Sequence, residues 1–159
     1  MRVKALLTAL LAITTSLLLC APSTLAASSK TPSKWERLHK VVVDLSSQRA
    51  SLYASDGSLL AVWPVSSGSK THPTPTGVFR VSSRSRRTFY TPHPWVTMEY
   101  MTRFNSNIGF HAIPRDKGKP IWTPLGRYGV SHGCVRLSDS NAAILYRFLP
   151  PRATVVVQH

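Results

Sequence analysis

Short β-type runs that end at Pro, Gly or Ser constrain the fold of this chain more than any other feature of its sequence. The clearest pair spans residues 50–53 and 59–65 and is separated by Ser55-Asp56-Gly57-Ser58. An Asp-Gly step between two β-type runs is the strongest short hairpin signal, because both turn positions favour positive φ. Further strands are predicted at 41–43, 78–81, 95–101, 108–113 and 154–157.

Only one segment has the pattern of a helix. Ser138 or Asp139 can cap its start, three apolar residues at helical spacing follow, and Pro150-Pro151 stop it. Frequent Pro and Ser between short strands favour a sandwich or barrel over an α/β sheet. The prediction is therefore one mainly β domain with a single short helix near the C-terminus.

The N-terminus has the pattern of a secretory signal peptide over residues 1–27. Arg2 and Lys4 precede an apolar run at 5–19, and small residues end it around Thr24-Leu25-Ala26. The run is shorter than the ~20 apolar residues of a membrane span, so we expect cleavage and no stable span afterwards. An uncleaved anchor or a lipid anchor at Cys20 are the alternatives. Residues 28–38 are predicted to be a linker and 39–159 the folded domain.

Cleavage near Ala26 would remove Cys20 and leave Cys134 as the single cysteine of the exported chain. Outside the cytoplasm an unpaired thiol is exposed to oxidation. A merely structural cysteine could be replaced by Ser or Ala without that risk. An odd thiol in an exported protein therefore indicates that the sulfur is used.

The charge balance allows a different class of protein, a nucleic-acid binder. The chain has 20 Lys and Arg against 6 Asp and Glu, a formal net charge of +14. The export signal and the lack of an aromatic-basic binding motif argue against nucleic acid as the partner. The basic run at 82–87 is interpreted as a solvated loop, or as a surface attracted to an anionic wall polymer or membrane.

No metal or cofactor site is predicted. Six acidic residues in all argue against a carboxylate cage for a hard cation. His72 and His93 each precede a Pro, so we interpret them as loop residues, and no His, Cys or Asp cluster has ligand spacing.

The chemistry is concentrated in Ser131-His132-Gly133-Cys134-Val135-Arg136-Leu137. A free thiol has a pKa of ~8.5 and needs a nearby His or cation to become a strong nucleophile at neutral pH. Glycine before the nucleophile lets backbone N–H groups approach a reacting carbonyl as an oxyanion hole. Arg136 suits a substrate carboxylate, and a second imidazole, His111, follows an apolar strand.

The seven residues resemble the catalytic motif of the L,D-transpeptidases, the YkuD-type family of bacterial cell-wall enzymes. Two more segments are similar to family elements: 73–79, Pro-Thr-Pro-Thr-Gly-Val-Phe, and 98–111, which ends in Gly-Phe-His. Their order and spacing agree, and the resemblance covers about 39–157. Nineteen residues separate His111 from Ser131, slightly more than is usual in the family, so 115–130 is interpreted as a variable lid.

The resemblance implies a β-sandwich-like catalytic domain and a role for each residue of the site. Cys134 would be the nucleophile and His111 its general base. The backbone of Gly133 and Cys134 would hold the oxyanion. The other implied residues shape the site or orient the substrate: His132, Ser131 and Arg136. Trp63, Trp95 and Trp122 are predicted as core or pocket-wall aromatics, with Trp122 in the lid as a substrate contact.

The resemblance also implies the substrate and the compartment. Cys134 would attack the third residue of a peptidoglycan tetrapeptide stem and release D-Ala, and an amine would resolve the thioester as a 3→3 cross-link or attach a protein. Carbapenems would acylate the same thiol, and no cofactor would be needed. The chain would act in the periplasm or cell wall of a bacterium.

Two other functions remain open at this stage. An L,D-carboxypeptidase or amidase would hydrolyse the same acyl-enzyme with water, and the sequence does not separate it from a transferase. A non-catalytic wall-binding module would keep the fold without the reaction, although the intact Cys and His argue against it. Sortases and papain-like proteases also use Cys and His, but the order here fits neither.

Overall fold

The β-type runs of the sequence form two sheets in a computed structural model that describes residues 33–159. The predicted signal peptide and the start of the predicted linker lie outside the described residues. A 3-10 helix, Lys34–Arg37, precedes the first strand. The strands are β1 Leu38–Asp44, β2 Arg49–Ala54, β3 Leu59–Pro64, β4 Gly77–Arg80, β5 Ser83–Tyr90, β6 His93–Asn105, β7 Ile108–His111, β8 Arg115–Asp116, β9 Lys119–Pro120, β10 Val135–Arg136 and β11 Thr154–Gln158.

The first sheet has the order β3-β2-β1-β11-β4. Its last strand in the sequence, β11, lies parallel to β1 and antiparallel to β4, so β11 lies inside the sheet between these two strands. The predicted hairpin is confirmed between β2 and β3. Only Gly57 of its turn has a positive φ, 83°, because the four-residue turn needs one such position rather than two.

The second sheet has the order β10-β7-β6-β8-β9, and β5 also pairs with β6. Its centre is the 13-residue strand β6, which pairs antiparallel with β5, β7 and β8. The short strand β10 is parallel to β7. This pairing places the end of the 131–137 motif directly beside the strand that carries His111.

The predicted helix is confirmed as α1, Asp139–Phe148. The Ser138 side chain caps it by accepting a hydrogen bond from the Asn141 N–H, as favoured at N-caps. Ala142 and Leu145 are buried, and the helix packs on β6 and β7. It therefore covers part of the second sheet around β6 and β7.

Apolar residues from both sheets and the helix form one core. Fully buried members include Phe110 and also Val41, Leu52 and Val155, and the last three alternate along their strands with more exposed residues. Among the described residues, no helix is long and apolar enough to span a membrane. The mainly β class with one helix is confirmed.

Three local expectations differ from the structure. Residues 83–87 belong to strand β5 rather than to a solvated loop, since the β6 backbone pairs with them. Part of the predicted linker forms the 3-10 helix, where Trp35 packs against Trp63 at 5.3 Å between ring centroids. Trp63 is a core residue as expected, but Trp95 and Trp122 are 51% and 69% exposed.

Candidate active site

Cys134 and His111 line the same pocket, of about 450 Å³. The register of the β7–β10 pair brings them together, because Arg136 lies beside His111 and Val135 beside Phe110. Cys134 is the residue immediately before β10. The pocket therefore combines a thiol and an imidazole from segments 23 residues apart in the sequence, at the edge of a rigid sheet.

The Ser131 hydroxyl holds the turn that presents Cys134. It donates to the Cys134 carbonyl and accepts from the Gly133 N–H at 3.0 Å. Gly133 has φ 112°, and a Cβ there would lie 3.1 Å from Cδ1 of Ile108. Ser131 and Gly133 thus shape the turn, and the Gly133 N–H is already bonded within it.

A residue that the sequence reasoning did not assign, Thr74, anchors the same turn from behind. Its hydroxyl donates to the Gly133 carbonyl at 2.8 Å and accepts from the Gly68 N–H at 2.8 Å. The side chain is only 3% exposed. Thr74 lies inside the 73–79 element, so that resemblance was the signal that could have identified it.

The imidazole of His111 is buried, with 1% exposure. Its Nδ1 lies 2.6 Å from the Ala112 carbonyl, which only accepts, so Nδ1 carries the proton and Nε2 the lone pair. Burial lowers the pKa of His111 to about 4, with a smaller contribution from the positive charge of Arg136. The ring is neutral at pH 7 and can accept a proton at Nε2.

The thiol of Cys134 is also neutral at rest. Burial raises its pKa, and this outweighs the Gly109 N–H and the charges of Arg103 and Arg136, which lower it. Its Sγ donates to the Asn107 carbonyl at 3.7 Å in the β6–β7 turn. The site is therefore a neutral thiol and imidazole rather than a preformed ion pair.

Arg136 contributes a half-buried guanidinium to the pocket. Its Nη1 donates to the Thr123 hydroxyl at 3.3 Å, and its buried Nε has no hydrogen-bond partner among the described residues. Burial lowers the pKa of the guanidinium, whose ordinary value keeps it charged at pH 7. Its backbone is fixed by two hydrogen bonds to Ser66.

His132 and Trp122 lie further from the reacting groups. The His132 ring lines the pocket and packs against His72 at 4.5 Å and Tyr90 at 5.4 Å. Trp122 is not among the lining residues; its ring lies 6.1 Å from that of Tyr128, and its neighbour Ile121 lines the pocket. Of the sequence-predicted residues, the structure brings Cys134, His111, Ser131, His132 and Arg136 together and leaves Trp122 outside.

Within residues 33–159, no group of three His, Cys, Asp or Glu side chains could hold a metal ion. The groups that can react are the thiol, the imidazole and the backbone around them. A partly buried thiol and a neutral base that line one pocket with guanidinium groups can form and resolve a thioester.

Comparisons with known proteins agree with this geometry. The model of the YkuD family, described as the L,D-transpeptidase catalytic domain, matches residues 39–157. YciB of Bacillus subtilis (strain 168), whose given name is that of an L,D-transpeptidase, is 29% identical over 74% of this chain and 65% of its own length.

Solved structures of similar fold were also found. An L,D-transpeptidase from Stackebrandtia nassauensis has a TM-score of 0.62 and 25% identity, covering 83% of this chain and 60% of that one. LdtMt1, solved in complex with imipenem, has a TM-score of 0.63 and 25% identity, covering 76% of this chain and 58% of that one. The chain thus spans about three fifths of the length of these structures.

Proposed function

This chain belongs to the YkuD family of L,D-transpeptidase catalytic domains, and from that premise we propose that it is a peptidoglycan L,D-transpeptidase. The single observation that carries the proposal is the parallel β7–β10 register, which supports joint action of Cys134 and His111 in one pocket. The substrate is the tetrapeptide stem of peptidoglycan, and no metal or organic cofactor takes part.

The first half-reaction transfers the acyl group to the enzyme. As Sγ of Cys134 attacks the carbonyl carbon of the third stem residue, its proton moves to Nε2 of His111. Before the attack the thiol carries its proton and the imidazole is neutral, as this order of steps requires, since the pKa of the thiol is raised and that of the imidazole is lowered. The protonated imidazole then gives the proton to the amine of D-Ala, the C–N bond breaks, and a thioester remains.

The oxyanion of the tetrahedral intermediate needs hydrogen-bond donors. The Gly133 N–H donates to Ser131 in the resting structure, so we assign the principal role to the Cys134 N–H. Gly133 supplies the backbone conformation, and Ser131 holds the turn. His132 forms the wall of the pocket, and Arg136, which also lines it, orients a substrate carboxylate.

The second half-reaction transfers the acyl group to an amine of a neighbouring stem. His111 takes a proton from that amine as nitrogen attacks the thioester, and it gives the proton to the sulfur as the C–S bond breaks, so that Cys134 leaves as the thiol. Trp122 is proposed to contact the acceptor from the rim, because Ile121 beside it lines the pocket. The reaction requires export to the periplasm or cell wall, in accord with the predicted signal peptide at 1–27.

Carbapenems are proposed to acylate Cys134 at the carbonyl of the β-lactam ring. The support is the pocket around the thiol together with the imipenem complex of the similar LdtMt1. The strained lactam supplies an acyl carbon that the thiol can attack, and the product is a thioester in the same position as that of the stem.

Intact-protein mass spectrometry tests the proposal. The chain from residue 28 is incubated with a disaccharide-tetrapeptide and, separately, with a carbapenem. We expect an adduct on Cys134 in both cases and a cross-linked dimer in the first. An adduct with only tripeptide as product would indicate a hydrolase, and the lack of any adduct under reducing conditions would favour a non-catalytic wall-binding module.

A further inference from the structure

The pocket around Cys134 contains cationic but no anionic side chains. Arg103 and Arg136 line it together with three histidines, and no Asp or Glu is among the lining residues. The chain has six acidic residues, and carboxylates lie beside four other arginines in its described part, but none lines this pocket. The composition of the pocket therefore favours a substrate that brings its own negative charge.

Arg103 is held in place without charge compensation. Its Nη1 donates to the Ser85 hydroxyl at 2.9 Å and its Nη2 to the Thr88 hydroxyl at 3.2 Å, both on β5. Neither Arg103 nor Arg136 forms an ion pair with a carboxylate in the described part of the chain. Partly buried guanidinium groups without a counter-charge are costly, and a bound carboxylate would remove that cost.

The two arginines are carried by the strands on either side of β7. Arg103 lies on β6 opposite Gly109, and Arg136 lies on β10 opposite His111. Both side chains line the same pocket as Cys134. A stem peptide that fills the pocket at Cys134 would therefore meet both guanidinium groups.

We infer that Arg103 binds a free carboxylate of the donor stem other than the C-terminal one, while Arg136 binds the terminal carboxylate of the leaving residue. This deepens the proposed function and rests on it. The inference makes the enzyme selective for stems whose extra carboxylate is ionised, as on a diamino dicarboxylic third residue, against stems with lysine or a carboxamide there. A carboxylate on the preceding residue has the same chemistry and is a second source.

Four synthetic tetrapeptides separate these sources. One keeps both non-terminal carboxylates, two carry a carboxamide at the third or at the preceding residue, and one carries both carboxamides. The readout is the ratio of kcat/KM between peptides within each variant, so a general loss of thiol reactivity cancels. For the wild type we expect a preference of about 10–100-fold for the free carboxylate at one position, typical of a charge-assisted hydrogen bond.

Three variants locate the preference. Arg103→Gln should reduce the ratio to near unity, and Arg103→Lys should retain part of it because the charge remains but the planar fork is lost. Arg87→Gln is the matched control, since Arg87 is on the same strand pair, pairs with Glu99 and does not line the pocket. It changes the net charge equally and should leave the ratio at the wild-type value.

Binding of the same peptides to Cys134→Ser, measured by calorimetry, tests the inference without turnover. Carboxylate-dependent binding to Cys134→Ser that disappears when Arg103→Gln is added would support the inference. If the wild type formed no acyl-enzyme, that failure would count against the proposed function alone. Wild-type ratios within twofold for all four peptides, or an unchanged ratio in Arg103→Gln, would overturn the inference.

Discussion

Thr74→Val isolates the contribution of one buried hydroxyl to the catalytic turn. Valine has nearly the same shape as threonine but lacks the oxygen that donates to the Gly133 carbonyl and accepts from the Gly68 N–H, both at 2.8 Å. The site is 3% exposed, so water cannot readily replace the hydroxyl. Both backbone groups lose their partner in the variant.

The expected loss of stability follows from those two groups. An unsatisfied buried polar group costs about 1–3 kcal/mol, and the partly buried Gly68 N–H lies at the low end of that range. Together they predict that the free energy of unfolding falls by about 2–4 kcal/mol. Urea denaturation followed by circular dichroism measures it, provided that the slope against denaturant is unchanged.

Catalysis should fall as well, because the Gly133 carbonyl and the Cys134 N–H belong to the same peptide unit. Loss of one oxyanion donor typically costs about 10²–10³ in kcat, so a displaced donor should cost at least ~10-fold. Acylation by a carbapenem, followed by stopped-flow absorbance below the unfolding transition, gives the rate. Thr74→Ser is the matched control, since it keeps the oxygen and removes only a methyl group.

One pattern of results would refute this reasoning. The hydroxyl does not hold the turn if two results are found together. The free energy of unfolding of Thr74→Val differs from that of the wild type by less than about 0.5 kcal/mol, as is typical of surface substitutions, and its acylation rate equals that of the wild type. If Thr74→Ser is as impaired as Thr74→Val, the methyl group rather than the oxygen is responsible. Only impairment of the valine variant with near-normal behaviour of the serine variant supports the account.

Four further predictions concern the other residues of the site. Cys134→Ser and His111→Ala should each abolish turnover, because nucleophile and base act as a unit; near-normal turnover of tetrapeptide in either would remove the assignment. Arg136→Lys should impair kcat/KM far more than the melting temperature, since the bidentate fork is lost, and a large drop in melting temperature with normal catalysis would make Arg136 structural. Trp122→Ala should raise KM for the acceptor amine and leave carbapenem acylation unchanged, and unchanged acceptor kinetics would exclude a substrate contact. Since burial lowers the pKa of His111 to about 4 against ~6.5 in the unfolded chain, the unfolded chain binds more protons between those values. The free energy of unfolding should therefore fall by about 3 kcal/mol as pH drops through that window. This part of the pH dependence should be absent in His111→Gln. If the free energy of unfolding varies with pH equally in both proteins, the buried neutral ring is contradicted.

The strand pattern and the candidate catalytic residues were accessible from the sequence for different reasons. β-Branched runs such as residues 154–157 and the Asp-Gly turn are local signals, and they predicted most of the strands. The helix followed from its N-cap serine and the prolines after it. Cys134 and His111 were found because thiol and imidazole chemistry is specific and the surrounding motif resembles a known family.

Other elements were missed because their local signals point elsewhere. The basic residues of β5 favour solvent, yet β6 provides a pairing partner along the whole strand, and backbone hydrogen bonds prevail over side-chain preference. Strands of two residues, such as Val135–Arg136, have no periodicity to detect. Thr74 belonged to a matched element, but only the folded chain shows that its hydroxyl reaches a carbonyl 59 residues away.

The sequence by itself therefore determined the class of fold and predicted the nucleophile and its base, since hydrophobic period, turn chemistry and thiol chemistry are properties of short segments. The tertiary structure alone decided how those groups are tuned. It buries a thiol and an imidazole so that both are neutral at rest, places Thr74 behind the turn, and leaves Arg103 and Arg136 without a carboxylate partner among the described residues. Burial, hydrogen-bond partners and charge compensation depend on which segments meet in space, and no local pattern records that.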